Sequence, residues 1–204
     1  MLGTEEDRCS ANIQDLEAMM REMVQMNIGL KAANATNDRL ARADPLTGLA
    51  NRRMLSETLV REIARANRLG NSLSVIVADL DGFKTVNDTY GHIVGDQVLQ
   101  SFAAVLSRQQ RNFDLAARFG GDEFVILLPE TPSSGAIRVA ERIRAETGKL
   151  KTPAYPFQIS ISFGIATWTS GETSEDFLDR ADLALYRTKR TRPNQILAAP
   201  DIPL

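Results

Sequence analysis

Two apolar runs, Leu115 to Phe119 and Phe124 to Leu128, are separated by Gly120-Gly121-Asp122-Glu123, and Pro129 follows the second run. A glycine-containing turn between two strand-like runs is a β-hairpin signal, and proline cannot donate to a ladder beyond it. The hairpin constrains the whole chain, because it forces two sequence neighbours to lie antiparallel. Leu73 to Leu80, with Val, Ile and Val inside it, reads as a buried strand, and Phe157 to Trp168 alternates into another. Asn51 reads as the cap of a helix running to about Arg68 and closed by Gly70-Asn71. Further helices read from about Gly95 to Gln110, Ser134 to Leu150 and Glu175 to Arg190. The order helix, strand, helix, hairpin, helix, strand, helix predicts an α+β fold. Its mixed, mainly antiparallel sheet is flanked by helices, of ferredoxin-like or polymerase-palm type rather than doubly wound.

The first forty residues follow another pattern. Leu16, Met19, Met23, Met26, Leu30, Ala33 and Leu40 recur at alternating spacings of three and four, with Asn37 at an a position. This predicts a long N-terminal helix whose narrow apolar seam suits a parallel two-stranded coiled coil, and hence a homodimer. The alternative is a single amphipathic helix packed on its own domain. Gly29 and the methionines make the seam a soft one. Cys9 falls on the seam, where a reduced thiol is favoured over an interchain disulfide. Asp44-Pro45-Leu46-Thr47-Gly48-Leu49 breaks the helix. The expected division is a linker helix at 1–43, a globular domain at 44–196 and a tail at 197–204.

Composition narrows the function classes. Of 204 residues, 43% are hydrophobic and 25% charged, which fits a folded globular domain. A net charge of -2 argues against a broad nucleic-acid-binding surface. No apolar run is long enough to span a bilayer, and Met1 to Arg8 lacks the apolar core of a signal peptide. One cysteine permits no intrachain disulfide. The expectation is a cytoplasmic protein without direct membrane insertion.

Two acidic clusters mark candidate chemistry: Asp79-Leu80-Asp81, where a strand ends, and Asp122-Glu123 in the hairpin. Carboxylates beside buried strand ends call for a partner or a cation. Oxygen donors alone suit a hard ion such as Mg²⁺, which completes its shell with phosphate and water. Taken singly, each cluster also reads as an ordinary surface turn, since Asp and Gly are common turn residues.

Arg118-Phe119-Gly120-Gly121-Asp122-Glu123-Phe124 resembles the signature of the diguanylate cyclases, the GGDEF family. Asp44 to Arg53 resembles that family's opening motif, and Asp79 to Asp88 its metal and guanine segment, continued by Gly91-His92 and Gly95-Asp96. Ser162 to Ala166 resembles its late strand, and Ala184-Leu185-Tyr186 with Lys189 its last helix. The likeness runs from about Asp44 to Asn194 in the family's order and spacing.

The resemblance implies a nucleotide-cyclase fold and a set of roles. Asp79, the Leu80 carbonyl and Asp122 would hold two Mg²⁺ ions (Mn²⁺ also serving), and Glu123 would assist deprotonation of a 3′-hydroxyl or bind the second ion. Asn87 and Asp96 would read guanine. Phe83, Lys84, Lys189 and Arg192 would meet the phosphates. Arg111 and Asp114 would form an RxxD site at which the product cyclic di-GMP slows the enzyme. After the last helix the family usually has Gly-Arg-Asn, whereas this chain has Arg192-Pro193-Asn194, so the arginine is displaced by one position. His92, the only histidine, has no nucleophile arranged around it and reads as a packing or bonding residue near the site. The implied reaction joins two GTP, each held by one domain of a dimer. Rival readings are a domain that binds GTP or cyclic di-GMP without turnover, and a cyclase for another nucleotide.

Overall fold

The structure, a computed structural model, describes residues 19–21, 23–26, 42–150 and 157–200. The chain divides into two units, Met1–Ala41 and Arg42–Leu204. In the first unit, residues 19–21 and 23–26 are helical, and Met19, Met23 and Met26 are exposed. Cys9, Leu16, Leu30, Ala33, Asn37 and Leu40, the other positions of the expected seam, lie outside the described residues.

The second unit is built on one six-stranded sheet. In chain order its elements are β1 (Ala50–Asn51), α1 (Arg52–Leu69), β2 (Leu73–Leu80), α2 (Phe83–Tyr90), α3 (His92–Gln109) and β3 (Leu115–Gly120). Then follow β4 (Glu123–Pro129), α4 (Ser133–Thr147), β5 (Ile161–Thr167), α5 (Ser174–Thr191) and β6 (Ile196–Ala198). The strand order is β1-β3-β4-β2-β5-β6. Strand β2 is antiparallel to both β4 and β5, and β3 to β4, while β1 and β6 join the edges in parallel. The expected mixed, mainly antiparallel sheet flanked by helices is present.

Alternation along the central strand explains both layers. Successive side chains of β2 point to opposite faces. Ile76, Ala78 and Leu80 join Leu99, Phe102 and Leu106 of α3 and Ala140 and Ile143 of α4. Leu73, Val75 and Val77 join Leu55 and Leu59 of α1 and Phe177, Ala181 and Leu185 of α5. Every β2 residue is buried, which is why it reads as a continuous apolar run. Helix α5 lies close on β5 because a Cβ at Gly164 would stand 2.0 Å from the Ala181 carbonyl oxygen. The last helix can therefore reach the sheet's centre only over a glycine.

Helix α1 begins and ends where the sequence predicts. Asn51 Oδ1 accepts from the Met54 N–H at 3.1 Å, and Gly70 closes the helix in the left-handed conformation. Three expectations change. The segment Phe83–Tyr90 is a helix, α2, with no buried residue. Its Thr, Val, Asn and Asp are poor helix formers, so it carries little helical signal of its own. The next helix starts at His92 rather than Gly95, because Gly95 is an internal packing position, not a boundary. Ile196–Ala198 pairs with β5, so the expected tail from 197 begins inside an edge strand. Among the described residues, no helix is long and apolar enough to cross a membrane.

Candidate active site

The site forms where β2, β4 and β5 end together. Register places Asp79 opposite Glu123 of β4 on one side and Ser162 of β5 on the other. Phe124 anchors the hairpin beneath: it is fully buried and meets Phe102 of α3 edge-on, with centroids 4.8 Å apart. Strand alternation then turns Glu123, which is exposed, to the side opposite Phe124.

Asp79 is 8% exposed. Its Oδ1 lies 2.5 Å from Lys189 Nζ, an ion pair. Burial pushes the Asp79 carboxyl up to about 6. Asp122 and Glu123 add to the rise by repulsion, and Lys189 opposes it. Lys189, in the last turn of α5, is thus a cation held against a buried carboxylate.

Asp81 belongs elsewhere. Its carboxylate accepts from Ser162 Oγ at 2.7 Å and from the Asn194 N–H at 2.9 Å. The first acidic cluster is therefore two separate groups rather than one.

The hairpin turn has its own brace, which the sequence reading left without a role. Arg118 donates from Nε and Nη2 to the Gly121 carbonyl at 2.9 and 2.8 Å, and from Nη1 to Asp44 at 3.3 Å. Asp44 also accepts from the Thr47 N–H and hydroxyl at 2.8 and 2.6 Å. Burial pushes the Asp44 carboxyl up, but the Thr47 hydrogen bonds and the Arg118 charge outweigh it and hold it below the usual carboxylate range. The signal in the sequence was the pairing of Asp-Pro-Leu-Thr-Gly with Arg-Phe-Gly-Gly.

Asn87 and Asp96 lie on α2 and α3, and Gly95 brings the two helices together. A Cβ at Gly95 would stand 2.0 Å from Asn87 Oδ1 and 3.3 Å from the Phe83 ring. Asp96 is exposed beside this contact, and Asn87 is half-buried. Gly82 precedes α2 without a side-chain cap, so the N–H groups of Phe83 and Lys84 open the helix uncapped.

The structure also places Arg192, Arg111 with Asp114, and His92. Arg192 is exposed at the C-terminal cap of α5. Arg111 and Asp114 do not pair through their side chains, because the Asp114 carboxylate accepts from the Arg111 backbone N–H at 2.9 Å and leaves the guanidinium exposed. His92 is exposed at the start of α3.

Among the described residues, no three acidic, histidine or cysteine side chains converge to cage a metal ion. The donors present still fit a hard cation of the Mg²⁺ kind. They comprise a buried carboxylate whose protonated form burial favours and two more carboxylates whose charge it feels. Such an ion is held by one or two carboxylates and completed by phosphate and water.

A family model described as the diguanylate cyclase GGDEF domain matches residues 41–195. Diguanylate cyclase DgcP of Pseudomonas aeruginosa is 40% identical over 189 residues, which cover 90% of this chain and 28% of DgcP. Response regulator PleD of Caulobacter vibrioides is 41% identical over 163 residues, covering 78% of this chain and 36% of PleD. The chain thus spans between 28% and 36% of the length of these curated relatives. The coiled coil and GGDEF domain of DgcB from Caulobacter crescentus, solved in complex with c-di-GMP, superposes with a TM-score of 0.85. The two are 35% identical, and the match covers 90% of this chain and 99% of that one.

Proposed function

The chain belongs to the GGDEF family, and from that premise we propose that it is a diguanylate cyclase, condensing two GTP into cyclic di-GMP with release of two pyrophosphates. The observation that carries this reading is Asp79: a buried carboxylate with a raised pKa, opposite Glu123 and paired with Lys189. An acid in that state is matched to a cation and a polyphosphate more than to a structural role.

Asp79, the Leu80 carbonyl, Asp122 and Glu123 are the proposed holders of Mg²⁺ ions, two per site, with Mn²⁺ as a substitute. When bound, such ions make a 3′-hydroxyl more acidic and offset charge on the reacting phosphate. The residues of the chain do the positioning. The uncapped N–H groups of Phe83 and Lys84, the Lys84 ammonium, Lys189 and Arg192 meet the triphosphate. A carboxylate at Asp96 accepts from both N1–H and the 2-amine of guanine, with Asn87 beside it, and adenine offers no such donor pair. Glu123 assists removal of the 3′-hydroxyl proton. A 3′-oxygen–α-phosphorus bond forms, the α–β phosphoanhydride bond breaks and pyrophosphate leaves. The same step repeated in the other direction closes the ring.

Each domain holds one GTP, so the reaction needs two domains face to face. A homodimer joined through the N-terminal coil would raise the effective concentration of one domain near its twin. Cyclic di-GMP bound at Arg111 and Asp114 would slow turnover. The exposed Arg192 favours a second reading, a domain that binds GTP or cyclic di-GMP without turnover.

Incubation with Mg²⁺ and GTP, or ATP, followed by chromatography of the products separates these readings. Cyclic di-GMP from GTP alone supports the cyclase. No product from dimeric protein refutes it, and unchanged, bound GTP supports the second reading. Full turnover at low concentration by a monomer lacking residues 1–40 would refute the role of the coil.

A further inference from the structure

Asp81 is the acid that the proposed chemistry leaves unused. It lies two residues beyond Asp79, yet its bonds run the other way. Oδ1 accepts from Ser162 Oγ at 2.7 Å, Oδ2 accepts from the Asn194 N–H at 2.9 Å, and the same N–H stands 3.1 Å from Ser162 Oγ. Ser162 is fully buried, and the Asp81 N–H is itself held by the Ser160 carbonyl at 3.0 Å. A carboxylate and a buried hydroxyl thus converge on one backbone N–H.

That N–H sits at a critical point in the chain. Asn194 adopts the left-handed conformation, with φ 60, and its carbonyl accepts from Arg144 Nη1 at 3.2 Å. One residue later the Gln195 carbonyl accepts from the Phe163 N–H, and β6 begins its pairing with β5. Two residues earlier the Arg192 N–H donates to the Thr188 carbonyl and ends α5. Lys189 is the residue after Thr188, and its ammonium meets Asp79. The strand end that carries Asp79 therefore also grips the loop that terminates the helix carrying Lys189. Both cross-links start from the same three residues, Asp79 to Asp81.

We propose that Asp81 is a positioning residue for phosphate binding. With Ser162 it clamps the Asn194 backbone, and so sets where Lys189 and Arg192 stand relative to a bound triphosphate, without touching the nucleotide. The proposal rests on the reading of Asp79 and Lys189 as the phosphate end of a GTP site. A charge-assisted hydrogen bond to a backbone N–H is strong enough for this task, and small displacements of a positioned cation carry large penalties.

The test uses the whole chain, Mg²⁺ and a GTP analogue whose α and β phosphorus atoms are joined by a methylene group, which binds but cannot release pyrophosphate. Affinity and thermal midpoint are measured for wild type, Asp81→Asn, Ser162→Ala, Lys189→Ala and the double variant Asp81→Asn/Lys189→Ala. Asp81→Asn keeps the size of the side chain but turns one acceptor into a donor facing the Ser162 hydroxyl or the Asn194 N–H. Its affinity is expected to fall about tenfold, with a smaller fall for Ser162→Ala, at a temperature where every variant is folded. In the Lys189→Ala background, Asp81→Asn is expected to weaken binding by well under that factor, because the two act through one contact. Wild-type affinity in both single clamp variants, with only a lowered midpoint, would make the clamp a stability device and overturn the proposal. Full additivity of Asp81→Asn and Lys189→Ala would overturn it as well. If Asp81→Asn does not fold, Ser162→Ala alone decides between weaker binding and wild-type binding. Wild type that binds no analogue would instead refute the nucleotide site itself.

Discussion

Lys189 Nζ and Asp79 Oδ1 are 2.5 Å apart, so the basic end of the last helix meets the buried acid at the end of the central strand. They are 110 positions apart in the sequence, counted as 189 − 79. The pair gives the metal-free protein a cation in place, at the point where the proposed function needs a divalent ion.

The buried acid makes a pH prediction. Its folded-state value of about 6 lies above the ordinary carboxylate value of 3.8, so folding favours the protonated form. Stability from this group is fully present below about pH 4 and is lost as pH rises through about 6. Metal-free Asp79→Asn should therefore gain on wild type in thermal midpoint as pH rises from 4 to 7. Added Mg²⁺ should raise the wild-type midpoint at neutral pH and leave that of Asp79→Asn unmoved. Differential scanning calorimetry at several pH values checks both.

Arg118 holds the Gly121 carbonyl twice and Asp44 once. Arg118→Ala should lower stability by about 2–3 kcal/mol, because Asp44 loses its cation and the turn loses two donors. Cyclase activity should fall by more than the loss of folded protein explains, since Asp122 and Glu123 ride on that turn. Arg118→Lys should recover little, because an ammonium lacks the planar fork that reaches both partners. Urea unfolding paired with turnover measurements tests this.

Gly95→Ala should separate function from stability. The added methyl meets the tip of the Asn87 side chain, which can turn away, and alanine favours the helix by about 1 kcal/mol. The thermal midpoint should hold or rise, while preference for GTP over ATP falls about tenfold. Competition binding with the two nucleotides gives the readout.

Arg111→Ala should relieve inhibition by cyclic di-GMP while initial turnover stays near wild type. The guanidinium is exposed and its backbone N–H, not its side chain, carries the bond to Asp114. Asp114→Ala should also relieve inhibition but lower stability slightly, because it removes that bond. Progress curves with added product distinguish the two.

The core strand Leu73–Leu80, the hairpin and the first helix with its Asn51 and Gly70 caps were legible because each is written in local pattern and turn chemistry. The acids of the candidate site were legible for a similar reason: carboxylates at strand ends are costly unless used. Helix α2 was missed because its residues favour no helix by themselves, and the contact of Asn87 with Gly95 joins it to α3. The edge strands β1 and β6, of two and three residues, are too short to show a period and exist through their pairing with β3 and β5.

By itself the sequence determined the fold class, the hairpin and which acids needed explaining, since these follow from periodicity and from the cost of burying charge. Only the tertiary structure decided which acid does what. Asp79 and Asp81 are two residues apart and chemically identical, yet one is paired with Lys189 and the other is held by Ser162 and Asn194. That difference arises from strand register and from the packing of α5 over Gly164, and both are set by distant residues rather than by either aspartate's neighbours.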